Sequence, residues 1–235
     1  MTGTYLSGPL FGVALTLVVY RAALMVFHRF GRHPLANPVL ISVACIAGFL
    51  KVTGIEYQEY FDGAQLIHFL LGPATVALAI PLYRQVQALR ARLPAVLVAV
   101  GIGSVTAIAS AVGIALALGA SPTTVLSLVP KSVTTPIAMG IAQEIGGLPS
   151  LTAVLVILTG IVGAITEGWV FRWLRVADER ARGLGIGVAA HGIGTAHALH
   201  QGEATGAFSG LGLGLNGVVT ALLVPFLIPL VMKFL

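Results

Sequence analysis

Long apolar stretches alternate with short charged segments along the 235 residues of this chain. Seven stretches contain no Asp, Glu, Lys or Arg, and these are 1–20, 33–50, 63–83, 93–130, 145–166, 183–202 and 204–232. A helix that crosses a bilayer needs about 20 mostly apolar residues. The stretches do not alternate apolar and polar positions as the strands of an outer-membrane barrel would. The pattern therefore predicts an all-α, polytopic helical membrane protein, with one transmembrane domain over 1–235 embedded in the lipid bilayer.

The composition excludes several other classes of protein. Hydrophobic residues make up 57% of the chain and charged residues 9%, whereas a soluble domain carries roughly 25% charged residues. Such a composition rules out an ordinary soluble enzyme and, because hydrophobicity is high, a disordered chain. The 13 Lys and Arg residues are scattered among apolar runs and form no basic face. We therefore expect no nucleic-acid partner.

Basic segments predict which loops face the cytoplasm. Residues 29–33, 84–92 and 172–182 are basic, which places all three segments inside and the N-terminus outside. Three hydrophobic segments lie between the second basic segment and the third when 123–143 is counted as one of them. Three full crossings would put these two basic segments on opposite sides of the membrane. One run is therefore predicted to be broken or re-entrant, and the best candidate is 123–143, because prolines strain a helix. The alternative is an interfacial loop with a misassigned orientation.

Two short segments resemble each other and predict an internal repeat. Residues 71–80 read LGPATVALAI and residues 128–137 read LVPKSVTTPI. Secondary transporters are commonly built from two such halves, with interrupted helices near the binding site. We divide the domain into an N-terminal helix and basic loop (1–33), a first half (37–120) and a second half (121–235). The predicted helix-breaking residues are Pro73, Pro130, Pro136, Gly192 and Gly194.

The segment PKSVTTP places one cation and three hydroxyls between two prolines. A Lys at membrane depth is costly and usually faces a cavity or a partner, so the segment is a candidate for binding substrate. Alternatively, Lys131 extends to the membrane interface. Glu144 either pairs with Lys131 and couples protons, or ends its segment in water. The substrate-binding candidates here are Lys131, Ser132, Thr134 and Thr135, with Thr75 as the corresponding polar residue of the first half.

A glycine-rich segment with three histidines covers residues 183–200. His191 and Thr195 lie four residues apart, on one face if the helix is continuous, and both are predicted to bind substrate. His191 is also a candidate for proton coupling, because imidazole titrates near neutral pH. The alternative is that the histidines only pack helices. No HExxH or Cys pairing accompanies them, so we predict no metal ligand and no cofactor.

The last apolar run contains two overlapping GxxxG steps at Gly206, Gly210 and Gly214. Such steps allow close contact between helices, within the protomer or between protomers, and a homodimer is the expected oligomer. Asn216 is the amide of this run and is predicted to reach a neighbouring helix or the substrate.

Four segments resemble the LrgB/CidB family of bacterial inner-membrane proteins. They are PKSVTTPIA (130–138), GGLPSLTAVLVILTGIVGA (146–164), ARGLGIGVAAHGIGTAHAL (181–199) and LLGPATVALAIPLYRQ (70–85). The similarity runs from about Asn37 to the C-terminus, and the plastid glycolate/glycerate transporter has a similar domain. It implies a multi-pass protein of the bacterial inner membrane, with a possible membrane partner of the LrgA/CidA type. Glu167 departs from the pattern, since an apolar or small residue is expected there.

Two functions follow as hypotheses. The first is a secondary transporter of small monocarboxylates, of the glycolate, glycerate or pyruvate class, coupled to protons. The alternative is an antiholin- or holin-like membrane protein that modulates lysis and murein hydrolase activity. We predict no enzyme, since no nucleophile–base pair, metal motif or cofactor fingerprint is present.

Overall fold

The structure, a computed structural model, describes residues 10–31, 36, 38–77, 79–84 and 86–235. These residues form helices and contain no strand, which confirms the predicted all-α class. The helices are α1 Phe11–Arg29, α2 Pro38–Thr53, α3 Tyr57–Ala77, α4 Ala79–Arg84, α5 Val86–Arg90, α6 Leu93–Ala117, α7 Pro122–Leu128, α8 Thr135–Glu144, α9 Pro149–Trp173, α10 Glu179–Gln201 and α11 Glu203–Val231. By length and composition α1, α6, α9 and α11 can each cross a membrane.

The chain divides into two compact units after Ala77. This division does not coincide with the predicted boundary between residues 120 and 121, and the two predicted halves stay a prediction. α3 continues through Pro73 to Ala77, so the helix does not end at this proline as it does in the second copy of the repeat. The side chain of Thr75 lies outside the described part of the structure.

The N-terminal unit packs α1 against α2 and α3. Gly12 of α1 lies against the backbone of Tyr60 and Ala64 in α3, where a Cβ atom would have no room. The hydroxyls of Thr16 and Tyr60 are 2.7 Å apart and join the same two helices. The contact is tight and polar although most of α1 is exposed, as expected of a helix that faces lipid.

In the C-terminal unit, two long apolar runs are broken into helical hairpins. The first hairpin is formed by α7, a non-helical turn at 129–134, and α8. After α8 the chain returns to the end of α7, because the Leu148 amide donates to Ser127 Oγ at 2.8 Å and Thr152 Oγ1 donates to the Ser127 carbonyl at 3.1 Å. The broken helix predicted for 123–143 is confirmed, with Pro130 in the turn and Pro136 in the first turn of α8.

The second hairpin is α10 itself, which reverses direction at His191. This residue has φ 41° and ψ −134°, far from helical values. Arg182 Nη2 donates to Gln201 Oε1 at 3.3 Å, whereas 19 residues of continuous helix would span roughly 28 Å. The break lies beside the predicted Gly192 and Gly194 rather than at them. The run 183–202 therefore enters and leaves on one side and does not cross.

The first hairpin explains how the second and third basic segments share one side of the membrane. Arg92 Nη1 lies 3.5 Å from Asp178 Oδ2, so the loops before α6 and before α10 lie at the same end of the unit. Between them only α6 and α9 run the full length, because the first hairpin returns to its starting side. Two full crossings, α6 and α9, therefore lie between these basic loops. An even number of crossings puts both loops on the same side of the membrane, as their charges predict.

Candidate functional site

Asn216 of α11 connects both hairpins to α6 at the centre of the C-terminal unit. Its side chain is fully buried. The amide Nδ2 donates to the Ser132 carbonyl at 2.8 Å, in the turn of the first hairpin, and to the Val188 carbonyl at 3.1 Å, near the turn of the second. Its Oδ1 accepts from Ser104 Oγ of α6 at 2.6 Å. The predicted role of Asn216 in reaching neighbouring helices is thereby realised.

Lys131 lies in the turn of the first hairpin, next to this polar centre. Its side chain is partly buried, and Nζ donates to Ser132 Oγ at 3.2 Å. The ammonium is close enough to the His191 imidazole of the second hairpin to interact with it electrostatically. Among the described residues Lys131 forms no ion pair. The alternative that it pairs with Glu144 does not hold in this structure, because α8 separates them and Glu144 is exposed at its far end.

His191 forms the turn of the second hairpin, and its backbone has a conformation that glycine would adopt at lower cost. Glycine stands next to it at position 192, yet the break falls on the histidine. The imidazole is buried, and Nε2 lies 2.8 Å from the Val156 carbonyl of α9. A strained backbone that retains a large polar side chain indicates that the side chain itself is needed there.

Small residues of α9 make room for this turn. A Cβ atom on Gly160 would lie 2.7 Å from His191 Cε1, and one on Gly163 would lie 2.5 Å from the Ala190 side chain. The turn therefore fits against α9 only because both positions are glycine.

Thr195 completes the hydrogen bonds of the second turn. Its Oγ1 donates to the His191 carbonyl at 2.8 Å and lies 2.9 Å from Ser209 Oγ of α11, which is then the donor. All three residues are buried. Thr195 therefore links the carbonyl of the turn residue to α11.

α8 begins directly after the turn of the first hairpin. Thr134 is the N-cap residue, with an extended backbone and no capping bond from its side chain. Thr134 and Thr135 are both partly buried. A helix N-terminus carries partial positive charge, and the Lys131 ammonium adds a full one. The arrangement is therefore suited to a small anion.

The structure thus brings Lys131, Ser132, His191, Thr195 and Asn216 together, although they come from three separate segments. It does not bring Glu144 into this group. Sequence reasoning missed three polar or small contributors, which are Ser104, Ser209 and Gly160. Ser104 and Ser209 stand in charge-free apolar runs, but Thr106 and Thr205 stand close by in the same runs, so no signal in the sequence singles them out. In the part of the chain that the structure describes, no three His, Cys, Asp or Glu side chains cluster as metal ligands, and the absence of a metal site stays a prediction.

The comparisons with known proteins agree on one family. The model of the LrgB-like family matches residues 16–230. The uncharacterized protein YwbG of Bacillus subtilis (strain 168) is 39% identical over 214 residues, which are 91% of this chain and 95% of that protein. The antiholin-like protein LrgB of Bacillus mycoides (strain KBAB4) is 31% identical over 223 residues, which are 95% of this chain and 97% of that protein. The protein of the same name from Bacillus cereus (strain B4264) has the same identity and coverage.

No solved structure matches the chain. The predicted resemblance to LrgB is confirmed by the family match. Together with the four long apolar helices, the relatives identify a multi-pass bacterial membrane protein.

Proposed function

The chain belongs to the LrgB-like family, and on that premise we propose that it is a secondary transporter of small monocarboxylates. The glycolate, glycerate or pyruvate class is the expected substrate. One observation carries the proposal, namely that the turns of two helical hairpins lie around the buried Asn216 with Lys131 beside them. Interrupted helices that surround a polar centre are typical of transporter binding sites.

The chemistry of the first turn fits such a substrate. A two- or three-carbon acid has one carboxylate and one or two further oxygens. Lys131 supplies a cation, and Ser132, Thr134 and Thr135 supply hydroxyl groups within five residues. The N-terminus of α8 adds backbone donors that favour an anion. A desolvated charge is costly unless it is paired, so a carboxylate beside Lys131 would lower the cost of burying both groups.

The depth of the polar centre supports transport as well. Asn216 and Ser104 lie near the middle of α11 and α6, two helices that are long and apolar enough to cross a membrane. We therefore expect the polar centre near the bilayer midplane, where transporters that work by alternating access bind their substrates.

Proton coupling forms part of the proposal, with His191 as the candidate group in the polar centre. The imidazole contacts α9 directly, so its charge state would affect how the second turn fits. Glu144 is exposed at the end of α8, and the proposal therefore relies on His191 rather than on Glu144.

A second candidate function is that of an antiholin-like protein. The names of the relatives from Bacillus mycoides and Bacillus cereus favour it and support it better than they support transport. In this role the chain would bind a membrane partner of the LrgA/CidA type or form a homodimer. Gly206 already contacts Leu199 within the chain, while nothing lies within 4 Å of a Cβ atom built on Gly214, which leaves the second GxxxG step for a partner.

Reconstitution into liposomes separates the two functions. We expect saturable uptake of a two- or three-carbon acid by counterflow, without leakage of an enclosed dye. Dye leakage without saturable uptake would favour the second function. A panel of such acids across a pH gradient would then define the substrate and the coupling ion.

A further inference from the structure

A second group of buried polar side chains lies at the open end of the second hairpin, away from Asn216. Glu167 of α9 is only 9% exposed. Its Oε1 accepts a hydrogen bond from Gln201 Nε2 and lies 3.4 Å from His197 Nε2. Its Oε2 is buried and has no hydrogen-bond partner among the described residues. A buried carboxylate oxygen without a partner is costly because the group is charged, and adding a proton removes that charge.

The same group joins the two arms of the hairpin. Gln201, which donates to Glu167 from the end of the second arm, accepts from Arg182 at the start of the first arm. Arg182 also lies over the Phe171 ring at 5.6 Å, and its buried Nε has no partner in the described part of the chain. Gln201 can hold this bridging orientation best while Glu167 is a carboxylate, because an ionised acceptor makes the stronger hydrogen bond.

The charged surroundings disfavour a metal cation as the ligand. α7, α8 and α10 pack against α9. α10 contributes His197 and Arg182, both of which repel a metal ion beside the carboxylate when charged. α8 contributes Glu144, which is exposed at the opposite end of α9, and α7 has no titratable group. On α9 itself the nearest charged group is Arg172.

The group lies near the membrane surface on the side of the basic loops. Glu167 is six residues before Trp173, the last residue of α9, or about 9 Å along the helix. Trp169 and Trp173 are stacked and exposed there, as aromatic residues at a membrane interface often are. The His197 side chain is 30% exposed, so protons can reach the buried carboxylate through it.

We propose that Glu167 and His197 form a proton-binding site that fastens the open end of the second hairpin to α9. A proton from the basic-loop side adds to the carboxylate and gives a carboxylic acid. Gln201 then loses an ionised acceptor, and the second arm is held less firmly. This proposal rests on the proposed function in one respect, since it makes Glu167 the point where protons drive movement of the hairpin during transport.

The proton site can be tested without measuring transport. Infrared difference spectra of the full chain in liposomes, taken between neutral and acid pH, are expected to show the carbonyl stretch of a buried, protonated carboxyl. The Glu167→Gln variant should lose this band, and the matched control Glu203→Gln, which removes an exposed carboxylate of α11, should keep it. A band that is unchanged in Glu167→Gln would overturn the proposal.

A second variant covers the case in which Glu167→Gln does not fold. His197→Gln keeps the carboxyl and is expected to shift the pH at which the band appears, whereas His200→Gln, which alters an exposed residue of the same helix, should not. An unshifted band in His197→Gln would contradict the pairing of Glu167 with His197.

Uptake measurements then test the role in coupling. An inward proton gradient is expected to stimulate acid uptake by the unmodified chain and by Glu203→Gln, and the stimulation should disappear in Glu167→Gln. Stimulation that persists in Glu167→Gln would overturn the coupling role. If no variant transports any acid but the band still depends on Glu167, the proposed function fails and the proton site stands.

Discussion

Both hairpins contact the buried Asn216, but their turns are built differently. The difference suggests that the first turn binds the substrate and that the second depends on close packing against α9. The first hairpin is interrupted by prolines and carries its polar side chains, Lys131 among them, in a six-residue turn. The second reverses at one residue, His191, whose imidazole bonds to Val156 and lies against Gly160 of α9. The first turn therefore has polar groups that can bind a substrate. The second turn is held by its hydrogen bond to α9 and by close packing against the glycines of that helix, and a small movement would disrupt this packing.

The largest effect on uptake is expected from substitution of Lys131 in the first turn. Lys131→Ala is expected to reduce uptake to background, because the turn then lacks the cation that holds the carboxylate. Lys131→Arg should also fail, since a guanidinium is wider and planar. Counterflow in liposomes measures the effect, and thermal unfolding in detergent checks that the variant is folded.

Lys233→Ala, near the C-terminus, is the matched control and should transport normally. If Lys131→Ala transports with unchanged apparent affinity, the first turn does not bind the substrate and Lys131 only anchors the chain at the interface.

The fit of the second turn can be tested on α9. Gly160→Ala places a methyl group against the His191 ring and should destabilise the chain by about 1–3 kcal/mol, as overpacking usually does. Gly168→Ala is the control on the same helix, because a Cβ atom there meets nothing within 4 Å. The midpoint of thermal unfolding should fall only in Gly160→Ala. Equal midpoints in the two variants would show that the turn does not pack tightly against α9.

His191 and His200 differ in burial on one helix and should differ in function. His191→Ala removes the contact with Val156 and is expected to lower uptake by about tenfold, equivalent to about 1.4 kcal/mol and to one hydrogen bond. His200 is exposed, so His200→Ala should leave uptake unchanged. Uptake rates measured over a range of pH compare the two variants. Similar mild losses in both would remove the special role of His191.

The smallest effect is expected at the start of the second hairpin. Asp178 caps α10 by accepting from the amides of Arg180 and Ala181 at 2.8 and 3.0 Å. The Ala181 bond is the main reason why the pKa of Asp178 is lowered below its usual value. Asp178→Ala should cost about 1 kcal/mol, as a lost N-cap does, while Glu179→Ala, which alters an exposed neighbour, should cost less.

The sign of the pH effect at Asp178 follows from the lowered pKa. The cap contributes stability above the ordinary pKa of an Asp, and this stability is lost as the pH falls through the folded-state value. Unfolding midpoints of the unmodified chain and of Asp178→Ala should therefore converge in acid. A difference that stays constant down to low pH would mean that the carboxylate charge contributes nothing to the cap.

The sequence predicted the first hairpin but not the shape of the second. Pro130 and Pro136 each remove an amide donor, so the interruption between them can be read from local chemistry. Near His191 the signal was weaker, because the glycines predicted to break the helix, Gly192 and Gly194, fit either a packed helix or a turn, and the break falls on the histidine itself. Glu167 stood out only as a departure from the family pattern, and its partners His197 and Gln201 could not be inferred because nothing in the sequence showed that α10 folds back on itself.

By itself the sequence determined the membrane location, the helical class, the shared end of the second and third basic segments and the polar segment around Lys131. These follow from the kind of residue at each position and its near neighbours, because bilayer burial, helix interruption and loop charge are local costs. Only the tertiary structure decided which polar groups meet. Asn216 and Ser104 are 112 residues apart, and Glu167 and Gln201 are 34 apart. Such pairs form because a buried polar group must find a partner wherever the packed helices place one.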